Sequence, residues 1–484
     1  MIIATFLLSV LLKIQIIKCK WNTKKCVQCL LLFLVQIQSV SSQDGEWDTS
    51  LPRETEDTII HGLIGSGEAL LPNGIIMLIN KIYGSSWALP TAESVRINFS
   101  MPWEWENTDG FLVNQIGHPY HGSMYFSAGR ANGFGFYGSM FFSLLGSFTW
   151  ESLCESNRAS INDFIATVAG SLSTGEILYR LYVEACTAGV PPFLALFINP
   201  IAGFHSLVTG WKPPDGGRNL YQFQAYIGAG YAETNYSIST VKQDIFSFKG
   251  PIADIGIITA YGNPFDQDTQ IPFRHFELNV SLGTNPGLYS DFRVLSDGYL
   301  FSFSPVYNGK DSMSTGLSLN LDFAAQGKFD IYASTINQSS NALNWTIKYE
   351  HLFSQYTALQ IKSHTGFTFL GASKYYYPDT VEEEFNNHGF GFNTKNFFSL
   401  EHKKLGKLEF DILFYALWTY PGTTPFSQGT VFWVFSDFTY SHYVSNHISI
   451  GITGSFVREW GSFSEFPDTR KENRKIMLFA AWNL

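Results

Sequence analysis

Eight residues of chemically useful type fall within one stretch of the chain: His118, His121, Arg130, Glu151, Glu155, Asp163, Glu176 and Arg180. His118, His121, Glu151, Glu155 and Asp163 are the residue types that bind a divalent cation, or that carry general acid–base attack on a lipid ester or phosphate. The compact signatures of such sites are missing from the sequence. There is no His-Glu-x-x-His, no Gly-x-Ser-x-Gly elbow and no paired-cysteine zinc spacing, so neither a metal nor another cofactor is expected. The same residues support a purely structural use, in which carboxylates of one helix meet arginines of the others and His118 or His121 with Trp105 completes an ionic lock. Buried networks of that kind fix one packing arrangement and perform no chemistry.

Either use requires helices. The stretch from Phe111 to about Cys186 reads as three of them, with Gly133-Phe-Gly135 between the first and second and Asn157-Arg-Ala-Ser160 between the second and third. Ser160 followed by Asp163 suits the start of the third helix, a serine cap with an acid in the first turn. Glu151 and Glu155 then share a face of the second helix, Glu176 and Arg180 share a face of the third, and Arg130 ends the first. On this spacing Arg130 and Arg180 are expected to reach Glu151 and Glu155, because a single i,i+4 pair such as Glu176 with Arg180 contributes little by itself.

Flanking segments frame these helices. Residues 43–53 are polar and read as a linker, His61 to Tyr83 as a helix, Glu93 to Ser100 as a strand by its alternation, and Phe193 to Trp211 as an apolar loop interrupted by Pro200 and Gly203. Cys154 and Cys186 fall in helices and are expected as free thiols. The first 43 residues form a separate object. Lys13, Lys18, Lys20, Lys24 and Lys25 precede an apolar run from Cys26 to Val35, and Ser39-Val-Ser-Ser42 supplies small residues for cleavage, the three parts of a secretory signal. An earlier apolar run, Ile2 to Ile17, leaves open a start downstream of Met1 or a membrane anchor.

Beyond Asn219 the apolar period changes from that of a helix to 2. Phe276, Leu278, Val280 and Leu282 alternate with polar neighbours, as do Leu317, Leu319, Leu321 and Phe323, and the pattern recurs to the last residues, Ile476, Leu478, Ala480, Trp482 and Leu484. About twelve such segments, each able to supply the roughly 9–11 residues of a tilted spanning strand, predict a transmembrane β-barrel with apolar members outward and polar members in the lumen. Composition agrees. Among 484 residues, 16% are aromatic, only 15% are charged and 42 are glycine, and a soluble enzyme would carry more charge. A soluble β-sandwich is opposed by the export leader, the number of consecutive strands and the aromatics Trp433, Phe435, Tyr440 and Tyr443 near strand ends. The net charge of −10, which becomes more negative once the leader's five lysines are removed, argues against nucleic acid as a partner.

The ordered set Asn114-Gln115, Gly117-His-Pro-Tyr120, Gly122, Arg130, Gly133, Trp150-Glu151, Glu155, Ser160, Asp163, Gly175-Glu176 and Arg180 resembles the signature of a bacterial family of exported proteins known as domain of unknown function 3943. The resemblance covers roughly residues 60–210. It implies an exported protein of a Gram-negative-type bacterium and implies no activity. The resulting expectation is an α+β chain: a leader at 1–43, a helical module at 44–212 and an antiparallel outer-membrane barrel of about 12 strands at 213–484. In it the module plugs the lumen or caps it from the periplasm, and the expected partners are outer-membrane lipid and the barrel-assembly machinery. The lead functional reading is a non-enzymatic envelope, transport or structural protein of the cell outer membrane; the alternative is a lipid-directed hydrolase using the Glu/Asp/His cluster.

Overall fold

The computed structural model describes residues 55–105, 110–214, 218–240, 245–266, 270–285, 289–327, 334–377, 384–422 and 428–484. The leader, the linker, most of the turn at Asn285-Pro-Gly287 and the acidic pair Glu382-Glu383 lie outside them. Among the described residues the helices are α1 (Thr55–Tyr83), α2 (Ala92–Ser100), α3 (His118–Ala131), α4 (Phe136–Thr149), α5 (Ile161–Thr187), α6 (Pro192–Ala195) and α7 (Pro200–Thr209). A π-turn at Val113–Gly117 leads into α3 and another at Trp150–Cys154 continues α4.

Twelve antiparallel strands follow: β1 (Leu220–Ile238), β2 (Phe246–Tyr261), β3 (Phe276–Asn285), β4 (Tyr289–Tyr307), β5 (Asp311–Gly327), β6 (Ser334–Ser354), β7 (Thr357–Tyr376), β8 (Glu384–His402), β9 (Gly406–Thr419), β10 (Gly429–Tyr443), β11 (Ile448–Phe463) and β12 (Thr469–Asn483). Each pairs with its sequence neighbours, and β1 pairs with β12 to close the barrel. Closure leaves no unpaired edge. Tight connections at 308–310, 355–356, 403–405 and 444–447 lie at the end that also holds Leu220 and the carboxyl terminus. The strand ends Ile238, Asn285, Gly327, Tyr376, Thr419 and Phe463 lie at the opposite end, where most of the longer connections of the sequence begin; this is the long-loop end.

Alternation sorts the side chains as the sequence requires. On β9, Leu408, Phe410, Ile412, Phe414 and Trp418 are exposed outward, whereas Leu413, Tyr415 and Leu417 are buried inward. The outward row continues through Ile448, Ile450 and Ile452 of β11 and Ile476, Leu478 and Trp482 of β12. The inward rows meet across the barrel. Arg293 on β4 contacts Asp437 on β10 at 2.8 Å, Lys395 on β8 contacts Asp322 on β5 at 2.9 Å, and Gln338 on β6 donates to Glu459 on β11 at 2.5 Å. Around Arg293, Asp322, Tyr415 and Trp433 the remaining space is about 10 Å³, room for at most about one water.

Two sequence expectations change locally. Residues 92–100 are helical: Thr91 and Ser94 form a capping box, with Thr91 Oγ1 accepting the Ser94 N–H at 3.1 Å and Ser94 Oγ accepting the Thr91 N–H at 2.9 Å. The buried face of α2 is Ser94 with Asn98, one turn apart, so the alternation of Val95, Ile97 and Phe99 is incidental. The segment 193–211 contains α6 and α7, both begun by a proline in the first turn. Asn199 caps α7 by accepting the Ala202 N–H at 3.1 Å, and Gly210 ends it in the left-handed region (φ 72°).

The module's position also differs from the expected plug or cap. It lies alongside the barrel, against the outer face of β3 to β8. Phe323, Ser339, Ala372 and His388 form one outward row of cross-strand partners. Phe111 stacks on Phe323 with ring centroids 5.8 Å apart, Gln115 accepts the Ser339 hydroxyl at 2.6 Å, and Trp105 stacks on Tyr420 at 4.9 Å. Lower on the same wall, Ser173 meets Ser296 at 3.3 Å, and Phe126 and Ile177 join Leu319 and Phe276 in one apolar cluster. At the far end Arg180 donates to the Pro272 carbonyl at 2.9 Å. Helix α5 therefore follows the wall from the long-loop end to the terminal end, a length of about 40 Å at 1.5 Å per residue. Within the lumen the barrel's own side chains reach toward one another, as at Arg293–Asp437 and Lys395–Asp322.

Candidate functional site

Helix α3 is buried almost all round, between α5 on the barrel side and α1, α4 and α7 on the other. Glycines allow this. A Cβ on Gly170 would lie 2.6 Å from Pro119, one on Gly175 2.8 Å from Phe126, and one on Gly129 2.7 Å from Phe142. At each place a side chain would separate the helices. Small residues at helix interfaces are how backbones approach closely in an apolar surround.

The eight residues divide into two groups. The lower group, toward the terminal end of the barrel, is Arg130, Glu176 and Arg180. Glu176 is fully buried, with its Oε2 3.1 Å from Arg130 Nε and its Oε1 2.8 Å from Arg180 Nε, and it accepts a hydrogen bond from Arg130 Nη2 at 3.4 Å. Arg130 also donates to the Phe134 carbonyl at 3.1 Å and lies 4.7 Å from the Tyr179 ring centroid. With Arg180 bonded to Pro272, one carboxylate thus joins α3, α5 and the barrel. The expected lock exists, but its acceptor is Glu176 and not the pair Glu151 and Glu155. An i,i+4 pair is weak on a helix surface; here burial and the second arginine change its weight.

The upper group, toward the long-loop end, holds the other five. The Glu151 carboxylate accepts the N–H of Ser160 at 2.8 Å, and Ser160 Oγ accepts the Asp163 N–H at 3.1 Å, capping α5 as expected. Glu151 is therefore used at the positive end of a helix dipole. Glu155 is turned away, accepting from Trp150 Nε1 at 2.7 Å, because the π-turn ends the regular helix at Cys154 and breaks the shared face expected for Glu151 and Glu155. His118 Nε2 lies 3.5 Å from Asp163 Oδ1, and its Nδ1 lies 3.2 Å from Thr167 Oγ1. His121 Nε2 meets the Tyr125 hydroxyl at 2.8 Å, and that hydroxyl bonds Asn73. His118, His121, Glu151 and Asp163 are each less than 9% exposed. Among the described residues no group of three or more His, Cys, Asp or Glu side chains is arranged to hold a metal ion.

Sequence reasoning passed over several partners. Asn98 of α2 donates to the carbonyls of Glu151 and Asn157, both at 3.1 Å, and accepts the Ala159 N–H at 3.1 Å. Glu68 of α1 accepts from Asn132 at 2.7 Å and pairs with His205 of α7 at 2.8 Å. The signal for Glu68 was present, since it is a lone acid inside an apolar helix and such a residue needs a partner. Cys154 and Cys186 are free, as expected.

Residues 102–198 match the model of a family described as a domain of unknown function, DUF3943, a narrower span than the sequence resemblance implied. No curated protein matches the chain. Solved structures similar to it include an outer membrane channel from Pseudomonas putida F1 (9% identity, 55% of this chain and 97% of that one, TM-score 0.30). The NanC porin (6% identity, 53% and 100%, TM-score 0.25) and a Pseudomonas aeruginosa FadL homologue (7% identity, 54% and 90%, TM-score 0.24) are also similar. These identities and scores are too low to transfer a function.

Proposed function

We propose that the chain is a non-enzymatic outer-membrane protein of a Gram-negative-type envelope: a sealed barrel that anchors a helical bundle at its side. The single observation that carries this reading is the set of charged and polar contacts spanning the lumen, Arg293 to Asp437, Lys395 to Asp322 and Gln338 to Glu459. Contacts that reach across the lumen narrow it, and this supports an anchoring role better than open diffusion. The outward apolar rows and the tight connections at the terminal end fit an outer-membrane orientation with that end, which holds Leu220 and Asn483, toward the periplasm. On this reading outer-membrane lipid and the barrel-assembly machinery are the partners, the first 43 residues are the export signal, and nucleic acid is not a partner.

The experiment is reconstitution of purified protein into planar bilayers and phospholipid vesicles. The expected result is no stable conductance and no release of a small trapped dye; steady ohmic conductance from the unaltered protein would refute the sealed barrel. The hydrolase reading draws support from the buried contact of His118 with Asp163, but both side chains are buried within the bundle, where His118 also meets Thr167. Release of fatty acid from phospholipid or lipid A by wild-type protein, abolished in His118→Ala with the fold intact, would favour it.

A further inference from the structure

We infer that the helical bundle shares the hydrocarbon layer with the barrel, and that the outward face of α1 is covered by lipid acyl chains. The inference rests on the proposed membrane placement of the barrel and extends it to a part of the chain that was expected in water.

The argument begins with the face itself. From Ile59 to Ile79 every exposed position of α1 is isoleucine, leucine or glycine, and the first exposed charge beyond them is Lys81. Leu63 is 70% exposed and Leu78 58%. A helix on the surface of a water-soluble bundle turns its charged side outward and its apolar stripe inward; α1 does the opposite. Its interior side carries Glu68, Asn73 and Asn80, all buried. Ile59 and Ile79 are separated by about 30 Å of helix at 1.5 Å per residue, the thickness of a bilayer's hydrocarbon core. Residues 58–83 are long and apolar enough to cross a membrane, and little of their surface is buried within the protein.

The neighbouring elements agree. On α4 Phe148 is exposed and Leu144 and Leu145 are half-buried, and the exposed positions of α7 include Phe204, Leu207 and Val208. With its π-turn α4 extends from Phe136 to Cys154, and α3 with its own from Val113 to Ala131, each about 28 Å long at the same rise. A cluster of charges lies at one end of the bundle's surface: Glu93 with Arg96, and Glu104 with Arg158. Trp87 and Trp103 lie beside them, Trp87 edge-on to Trp150 and Trp103 stacked on Phe148. Aromatic side chains beside a charged rim mark a membrane–water boundary. That rim lies at the long-loop end of the barrel, where Trp105 reaches Tyr420, so bundle and barrel have their boundaries at the same level. The chain's own first 54 residues or a second copy are the competing covers for the α1 face. The continuity of its apolar span with the barrel's outward rows favours lipid.

The test uses the full-length mature protein with Cys154→Ser and Cys186→Ser, carrying single cysteines at Leu63, Leu78, Leu478 or Arg96, each labelled with an environment-sensitive fluorophore. Proteins whose barrel retains its compact, heat-modifiable migration are placed in phosphatidylcholine vesicles with plain or chain-brominated acyl groups. The expected result is loss of emission at 63, 78 and 478 in brominated lipid with no loss on adding iodide, and the reverse at 96. Quenching by iodide at 63 and 78 while 478 stays protected would overturn the inference and leave the barrel in the membrane. Iodide quenching at 478 as well would overturn the membrane placement itself. Protection of 63 and 78 from both quenchers would assign the face to a protein cover and overturn the inference.

Discussion

Replacing Glu176 by alanine removes the one carboxylate shared by two guanidiniums. Arg130 and Arg180 side chains are 7% and 11% exposed, so neither can recover water without moving its helix. Leaving a buried charge without its partner costs roughly 3–5 kcal/mol, which at about 1.4 kcal/mol per decade is a shift of roughly 10²- to 10³·⁵-fold toward an undocked bundle. The barrel should survive, because its strand pairing and cross-lumen contacts involve none of these residues. Limited proteolysis of the bundle, with the heat-modifiable migration of the barrel as internal reference, reads the two separately. Glu176→Ala should make residues of α3 to α5 sensitive while the barrel stays folded. Arg158→Ala, which loses a half-exposed pair with Glu104, should cost under about 1 kcal/mol and leave the bundle resistant. The combination Glu176→Leu, Arg130→Met and Arg180→Met should regain part of the loss, since removing all charges together leaves none unpaired. A bundle as resistant in Glu176→Ala as in wild type, or one as damaged by Arg158→Ala, would refute the lock.

Gly170→Leu should displace α5 from α3 through its clash with Pro119 and cost about 1–3 kcal/mol or more, seen as increased protease sensitivity of the bundle. Arg293→Ala combined with Asp437→Ala removes one brace from the lumen and should produce measurable single-channel conductance in planar bilayers where the unaltered protein gives none. Leu478→Arg, on the outward face of β12, should lower folded yield by an amount equivalent to roughly 2–4 kcal/mol, whereas Ile448→Arg, at the start of β11, should cost only about 0–1 kcal/mol. Equal yields for the two would contradict a depth-dependent lipid face.

The strands were readable because one face of each is apolar and the other polar, a contrast that survives without knowing any contact. The three helices around Gly133 and Ser160 were readable from breakers and a cap. The bundle's side was not. Leu319 and Phe323, which face helices, and Ile452 and Leu478, which face outward freely, are the same residue types, so alternation cannot say what covers them. The acceptor of the lock was misplaced because Glu151 and Glu155 outnumber Glu176 in sequence; only the cap at Ser160 and the π-turn at Trp150 reveal that Glu151 is already engaged and Glu155 turned away. Glu93 to Ser100 misled because its alternation is that of a strand, while the decisive contacts are the local ones between Thr91 and Ser94.

The buried polar residues of the bundle have a consequence for the passage of the chain to its destination. Membrane insertion is decided one segment at a time, before partners exist, and each arginine, lysine or aspartate near the centre of a segment weighs about 2.5–3.5 kcal/mol against it. Glu176, near the middle of α5, and Arg180 one turn on are hidden in the finished bundle but fully visible in the extended chain. Among the described residues α1 alone is apolar enough to register as a span. On the placement inferred above, the contacts that hold the finished bundle together also disguise α5, letting a segment that ends in an apolar surround travel as though it were polar.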